Sequence, residues 1–335
     1  MKRQSVYFVA PRRVELRIED LPEPATGEAR LKAICSAIST GTELMLYKGE
    51  APAALAVDAT LPALTGTLAY PLKYGYSMIG RVEGLGSGVE ASWQGRLAFA
   101  FNPHETAFNA RVEDLIPLPA DCAEKDGAFL PAMETAVNLV LDGEPRLGER
   151  VAVLGQGLIG LLTTALLARH PLGTLVTLDR YGARRELSVS MGAQAAFDPG
   201  DVTKAKESLG ERGADLVYEL TGNPEALNQA LDLVGEQGRV VVGSWYGERR
   251  AAINLGERFH RGRVKLISSQ VSHIEPALRG RWDRQRRFEV AWTLLNEIKP
   301  SGLATGEFAF DKAAEAYELL AKDPQANLTF LLTYP

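Results

Sequence analysis

Hydrophobic positions fall into two regimes along the chain. To about Leu118 they form short runs: SVYFVA, RVELRIED, EARLKAIC, MIGRVEGLG and GRLAFAFN, broken by Pro and Gly. Runs of this length between such breakers predict strands, and no regular helix–strand alternation separates them. The expectation is an irregular, β-barrel-like domain. The pattern changes near residue 125, where DGAFLPAMETAVNLVL carries apolar residues at helical spacing. Strand and helix patterns then alternate. RVAVLG (150–155) precedes LIGLLTTALLARH, LVTLD (175–179) precedes ARRELSVSMG, and ADLVYELTG (214–222) precedes PEALNQALDLV. GRVVVGSW (238–245) and RVKLISSQV (263–271) complete the series. Apolar strands alternating with helices predict an α/β fold with a doubly wound parallel sheet, buried on both faces. Two further helical patterns, RRFEVAWTLLNEI and DKAAEAYELLAK, and a strand, LTFLLTY, complete the chain. The expected division is residues 125–271 for the parallel-sheet domain, and 1–124 with 272–335 for the β-rich one.

Bulk composition adds exclusions. The 335 residues are 46% hydrophobic and 24% charged, enough for two cores and unlike a disordered chain. A net charge of −5 gives no reason to expect nucleic acid. The apolar run near the N-terminus, Val6 to Ala10, is too short for a signal peptide, and LIGLLTTALLA is too short to span a bilayer. A cytoplasmic protein that does not enter membranes is expected. Cys35 and Cys122 are the two cysteines, so a four-cysteine structural zinc site is excluded by count.

The chemistry-bearing motif is VAVLGQGLIGLL, in which Gly155-Gln156-Gly157-Leu158-Ile159-Gly160 reads GxGxxG between a strand and a helix. Gly155 permits the tight turn, Gly157 lets backbone approach a pyrophosphate, and Gly160 lets helix pack on strand. The helix N-terminus stabilises the anion. Asp179 ends the next strand, where a carboxylate accepts hydrogen bonds from an adenosine ribose and repels a 2′-phosphate. NAD(H) is therefore favoured over NADP(H). Arg180, Arg184 and Arg185 follow; a solvated helix face is the reading favoured for them, and help in holding a 2′-phosphate the alternative.

GTELMLYKG (41–49), GYSMIGRVEGLGSGV (75–89), RLGERVAVLGQGLIG (146–160), YELTG (218–222) and FDKAAEAYELL together resemble the medium-chain dehydrogenase/reductase superfamily, over nearly the whole chain. SAISTGTELMLYKGE and METAVNLVLDGEPRLGERVAVLGQG are most similar to a branch around bacteriochlorophyllide dehydrogenases. The resemblance implies a GroES-like catalytic domain, a Rossmann domain and oxidoreductase activity. It also implies that Thr135 packs against the nicotinamide, that the YELTG stretch with Thr221 belongs to the nucleotide site, and that Thr42 matches a hydroxyl of the proton relay. Zinc-dependent members carry a Cys where Ser39 and Thr40 stand, a His at Tyr76 with Glu at Ser77, and a third ligand near Pro131. None of these is a soft or borderline zinc ligand. No zinc is expected; a rescue by Cys35, His104, Glu105 and Glu134 is the weaker alternative. His104 reads as a surface-loop histidine and Cys35 as a small core residue.

Hydride transfer still needs charge on the substrate oxygen neutralised. Tyr76, Thr42 and Glu134 are the catalytic candidates, with volume filling, backbone capping and structural ion pairing as their bland counterparts; Glu43 is read as a structural ion-pair residue. RGRWDRQRR (279–287) concentrates five arginines and reads as a solvated face, or as a site for an anionic small-molecule substrate. The segment from Ala51 to Gly75 reads as a lid or a packed loop. The leading function is a zinc-independent, NAD(H)-dependent alcohol/carbonyl oxidoreductase. Enone or quinone reduction with NAD(P)H, and a non-catalytic nucleotide-binding protein, are the alternatives. The resemblance implies that the last Rossmann strand, here RVKLISSQV, pairs across a two-fold axis, so a homodimer or homotetramer is expected.

Overall fold

The computed structural model describes residues 1–58, 60, 61 and 63–335. Two compact units partition the chain: Met1–Pro131 with Trp292–Pro335, and Ala132–Ala291. The chain begins with strands β1 (Lys2–Ala10), β2 (Arg13–Asp20) and β3 (Glu28–Ala37), then a short helix α1 (Thr42–Lys48). Strands β4 (Leu72–Lys73), β5 (Met78–Leu85), β6 (Leu97–Ala100), β7 (Ala107–Arg111) and β8 (Ile116–Pro117) follow, and then helix α2 (Glu124–Gly127).

Helix α3 (Leu130–Gly143) leads to β9 (Arg150–Leu154), α4 (Leu158–Leu167), β10 (Thr174–Leu178), α5 (Gly182–Ser190) and β11 (Ala195–Phe197). Then come α6 (Val202–Leu209), β12 (Ala214–Glu219), α7 (Ala226–Leu233), β13 (Val234–Val242) and β14 (Lys265–Ser268). Helix α8 (Arg284–Ile298), β15 (Gly306–Ala309), α9 (Ala313–Lys322) and β16 (Phe330–Thr333) complete the chain.

In the second unit, β11-β10-β9-β12-β13-β14 form a six-stranded parallel sheet. Its inner strands are apolar on both faces, as the sequence pattern requires. Val151 and Val153 of β9 join a core with Tyr218 and Val241, while Ala152 and Leu154 join another with Val176, Val217 and Val240. Order along the sheet reverses between β9 and β12. In doubly wound sheets the ligand crevice lies at that reversal, beyond the carboxyl ends of the strands.

The first unit is mainly antiparallel. One sheet runs β2-β1-β4, and a seven-stranded sheet runs β15-β16-β3-β5-β6-β8 with β7 on β3. Register shifts between β3 and β5 at Arg30/Leu31 and Ala33/Cys35 break the regular ladder, as an irregular barrel requires. Its larger core gathers Phe8, Ile38, Leu46, Tyr74, Tyr317 and Phe330. Leu61, Leu64 and Leu68 belong to this core, so these parts of the Ala51–Gly75 stretch are packed. Ala59 and Pro62 of that stretch lie outside the described residues.

Candidate functional site

Two sets of functional groups emerge, one in each unit. In the first, Tyr76 precedes β5, and Ser39 and Thr42 flank the start of α1. The Tyr76 hydroxyl donates to Ser39 Oγ at 2.6 Å and is also hydrogen-bonded to Thr42. Two sequence candidates, Tyr76 and Thr42, therefore share one hydroxyl cluster, with Ser39 as a third member that sequence reasoning noted only as a missing cysteine. Burial pushes the Tyr76 phenol upward and the Glu43 charge adds to this, while the bonds to Ser39 and Thr42 act against it. The phenol is thus kept protonated. Ser77, the other departure from the family pattern, is buried and donates to the Ala128 carbonyl, a structural tie between β5 and the chain after α2.

His104 is not a surface histidine. It is fully buried, with Nδ1 2.7 Å from Ser36 Oγ and Nε2 3.0 Å from Glu43 Oε2. The sequence offered no periodic signal for this, because His104 lies in the loop between β6 and β7. Glu43, read from the sequence as a structural ion-pair residue, is hydrogen-bonded to the His104 imidazole. Cys35 is a core residue of β3 whose thiol donates to the Glu124 carbonyl, and burial pushes that thiol up to about 12.

In the second unit, Gly155 turns the chain after β9 with φ +88°, and a Cβ there would lie 2.6 Å from the Leu220 carbonyl oxygen. A Cβ on Gly160 would lie 1.9 Å from the Gly155 oxygen, so backbone approach forces glycine at both positions. At Gly157 a Cβ would meet nothing nearer than Arg184 Nη1, at 3.9 Å. Gly157 is also the N-cap of α4, and no side chain caps that helix. The first N–H groups of α4 therefore face a shallow cradle that suits a pyrophosphate.

Asp179 fixes this turn. Its Oδ2 accepts from Gln156 N at 2.7 Å and its Oδ1 from Tyr181 N at 2.8 Å. Gln156 itself turns inward, to the Gly155 carbonyl and to Thr164. Leu158 is buried and Ile159 half-buried in the first turn of α4. Arg180 and Arg184 lie over the Tyr181 ring, 4.6 and 4.9 Å from its centroid. Thr221 lies against the glycine turn, its Cα 2.8 Å from a Cβ placed on Gly155, and it is anchored by N–H and O–H bonds to Glu219. These features fit a nicotinamide dinucleotide: an uncapped helix end, a glycine cradle and a fixed carboxylate. Thr135 is half-buried on α3.

Glu134, the third catalytic candidate, is buried beside Arg287. Arg287 donates to Glu134 Oε1 from Nε at 3.1 Å and Nη2 at 2.7 Å, to Asn138 Oδ1 at 2.5 Å and to the Val271 carbonyl at 2.6 Å. Its geometry is that of a structural ion pair. The arginine-rich stretch thus divides: Arg287 is 2% exposed, whereas Arg279, Arg281, Arg284 and Arg286 face solvent.

The donor set does not fit a catalytic zinc. Ser39 and Thr40, Tyr76 and Pro131 stand at or near the ligand positions that the resemblance implies, and hydroxyls, phenol and proline are poor ligands for that ion. Both His104 nitrogens are engaged, Glu105 pairs with Arg3 and Lys73, and Glu134 pairs with Arg287. Among the described residues, no group of three His, Cys, Asp or Glu side chains could hold a metal ion.

Comparison with known proteins agrees with the fold. The family model described as zinc-binding dehydrogenase matches residues 159–286. D-guloside 3-dehydrogenase of Escherichia coli K12 is 26% identical over 78% of this chain and 77% of its own length. The (R,R)-butanediol dehydrogenase of Bacillus subtilis is 27% identical over 68% of this chain and 74% of its own. Among solved structures, the alcohol dehydrogenase rspB from E. coli CFT073, complexed with NADH, superposes with a TM-score of 0.81 at 19% identity, covering 99% of both chains. In its parallel sheet with the glycine turn and in its antiparallel unit the chain is similar to zinc-type, alcohol dehydrogenase-like proteins of the medium-chain dehydrogenase/reductase superfamily.

Proposed function

We propose that this protein is a zinc-independent, NAD(H)-dependent oxidoreductase that interconverts an alcohol and a carbonyl. The observation that carries the reading is the Tyr76–Ser39–Thr42 hydroxyl cluster, in which Tyr76 and Ser39 stand where the resemblance puts ligands in zinc-dependent relatives and Thr42 where it puts a proton-relay hydroxyl. A bound nicotinamide supplies or accepts the hydride. Gly155, Gly157 and the first turn of α4 would hold its pyrophosphate, and Asp179 its adenosine ribose. Asp179 is held beside the glycine turn by two backbone N–H groups, and its negative charge disfavours a 2′-phosphate. NAD(H) is therefore the preferred cofactor.

The protonic half of the reaction falls to Tyr76. During carbonyl reduction, negative charge develops on the substrate oxygen. The Tyr76 O–H, released from Ser39, donates to that oxygen and delivers its proton. Ser39 and Thr42 hydrogen-bond the phenolate that results. A phenol held protonated at neutral pH suits the role of proton donor in the reducing direction.

The test is NADH oxidation against a panel of ketones, aldehydes and oxidised sugars. Carboxylated and phosphorylated members belong in it because of the exposed arginines at 279–286. Substrate-dependent turnover in wild type, with at least a 100-fold loss of kcat in Tyr76→Phe and unchanged NADH affinity, is expected on the scale of a lost general acid. Turnover of wild type and Tyr76→Phe at the same rate would remove Tyr76 from the mechanism.

A further inference from the structure

Behind the Tyr76 hydroxyl lies a buried polar cluster that the scheme above does not use. Ser36, Glu43, His104 and Tyr317 are each 0% exposed. The Glu43 carboxylate accepts three hydrogen bonds within the first unit: from Ser39 N at 2.9 Å, from His104 Nε2 at 3.0 Å and from the Tyr317 hydroxyl. Because a carboxylate only accepts, Nε2 carries a proton, which leaves Nδ1 to pair with Ser36 Oγ; the Tyr334 hydroxyl continues the chain 2.8 Å from that oxygen. A buried carboxylate left without partners would be strongly destabilising, and here it is enclosed by donors.

The placement of these bonds distinguishes the cluster from a general core ion pair. Ser39 N, held by Glu43, belongs to the residue whose Oγ accepts the Tyr76 hydrogen bond. The His104 ring occupies the space beneath the preceding residue: a Cβ on Gly75 would lie 2.7 Å from His104 Cδ2 and 2.8 Å from Nε2. Gly75 has φ +122°, so glycine is required there on both steric and backbone grounds. One end of the Tyr76–Ser39 hydrogen bond is thus fixed through the Glu43 carboxylate, and the other through the His104 imidazole.

We infer that Glu43 and His104 are positioning residues for Tyr76, a carboxylate–imidazole pair that braces the Ser39 turn and the Gly75–Tyr76 turn and presents the phenol in a single orientation. Their consequence for turnover rests on the function proposed above; the ordering of Tyr76 does not. The charged and titratable groups around the phenol are Glu43 from α1, His104 from the loop after β6, Tyr317 from α9 and Tyr74 before β5. The Glu43 charge also helps to keep Tyr76 protonated.

The experiment uses the full chain with tyrosine labelled at ¹³Cζ, and assigns the Tyr76 resonance by its loss in Tyr76→Phe. Wild type should show one sharp Tyr76 line. Glu43→Gln and His104→Gln should shift and broaden or double it, while NADH affinity stays within about twofold. In turnover, Glu43→Gln should lose up to about 100-fold in kcat, the scale of a misplaced catalytic group. The Tyr76→Phe/Glu43→Gln double variant should be no slower than Tyr76→Phe alone, since a residue acting through Tyr76 has nothing left to position. A folded Glu43→Gln with an unchanged Tyr76 line would overturn the inference, as would losses that add fully in the double variant. If Tyr76→Phe turns over like wild type, the functional reading fails separately, and the ¹³C line alone decides whether the pair orders Tyr76. Should Glu43→Gln not fold, Tyr317→Phe removes one donor from Glu43, keeps the ring packing, and carries the same readouts.

Discussion

Replacing Arg287 with Met should unfold the second unit well before it affects chemistry. Arg287 is 2% exposed and makes four hydrogen bonds, two of them to Glu134, which is 3% exposed. Removing one partner of such a pair leaves the other buried and uncompensated, at a cost of about 3–5 kcal/mol. For a domain of this size class that corresponds to a fall in Tm of roughly 6–20 °C. Burial already pushes the Glu134 carboxyl above its ordinary 4.5, against the pull of Arg287 and Arg284. Losing Arg287 pushes it further. A carboxyl whose folded value is raised favours the protonated native state, so the Arg287→Met variant should lose stability as pH climbs above about 4.5. The Glu134→Leu/Arg287→Met double variant should recover most of the loss, giving a coupling of about 2 kcal/mol or more. The assay is thermal unfolding of the four members of this cycle at pH 5 and 8, with turnover measured per folded molecule. Additive single losses, or an Arg287→Met protein with wild-type Tm, would refute the reasoning. A fall in turnover per folded Glu134→Leu molecule would return Glu134 to the chemistry.

Three further expectations follow from local geometry. Gly157→Ala meets nothing nearer than 3.9 Å, so it should keep the wild-type Tm yet weaken NADH binding at least tenfold, whereas Gly160→Ala, with its Cβ 1.9 Å from a backbone oxygen, should lower Tm as well; fluorescence titration and calorimetry separate the two. Burial works to raise the Glu19 carboxyl, but hydrogen bonds from Tyr7, Ser5 and Lys73 outweigh it and hold it at about 2, below its ordinary 4.5. Its stabilisation is therefore complete above pH 4.5 and lost as pH falls toward 2, and Glu19→Gln should cost up to about 3 kcal/mol at pH 7 and almost nothing at pH 2 in urea titrations. Strand β14 ends the parallel sheet with Leu266 40% exposed, so wild type should sediment as a dimer or tetramer and Leu266→Lys as a smaller species.

The sequence made the parallel sheet legible because its signal is local and repeated. Strands such as RVAVL are apolar throughout, and GxGxxG needs its glycines for reasons that backbone contact at Gly155 and Gly160 bears out. Boundaries were less legible: the run RVKLISSQV contributes only Lys265–Ser268 to β14, because its register with β13 covers those four residues alone. Helix α1 went unread because a seven-residue helix offers fewer than two full turns of periodicity. The hydroxyl cluster was half legible. Tyr76 and Thr42 came from a resemblance of motifs, but no pattern could pair Tyr76 with Ser39 across 37 positions. The Glu43–His104 pair was invisible for the same reason: its members lie 61 residues apart, and a loop histidine ordinarily faces water. Glu134 illustrates the opposite limit. Its place beside Thr135 suggested chemistry, yet its partner, Arg287, lies 153 residues away in a run that reads as a solvated face.

The most direct test of the central claim is the zinc content of active enzyme, measured by elemental analysis on untagged protein purified without chelator and assayed in the same preparation. The account predicts substrate-dependent NADH turnover with near zero zinc per chain and no loss of rate after dialysis against a chelator. About one zinc per chain, with activity that disappears on chelation and returns with added zinc, would contradict it.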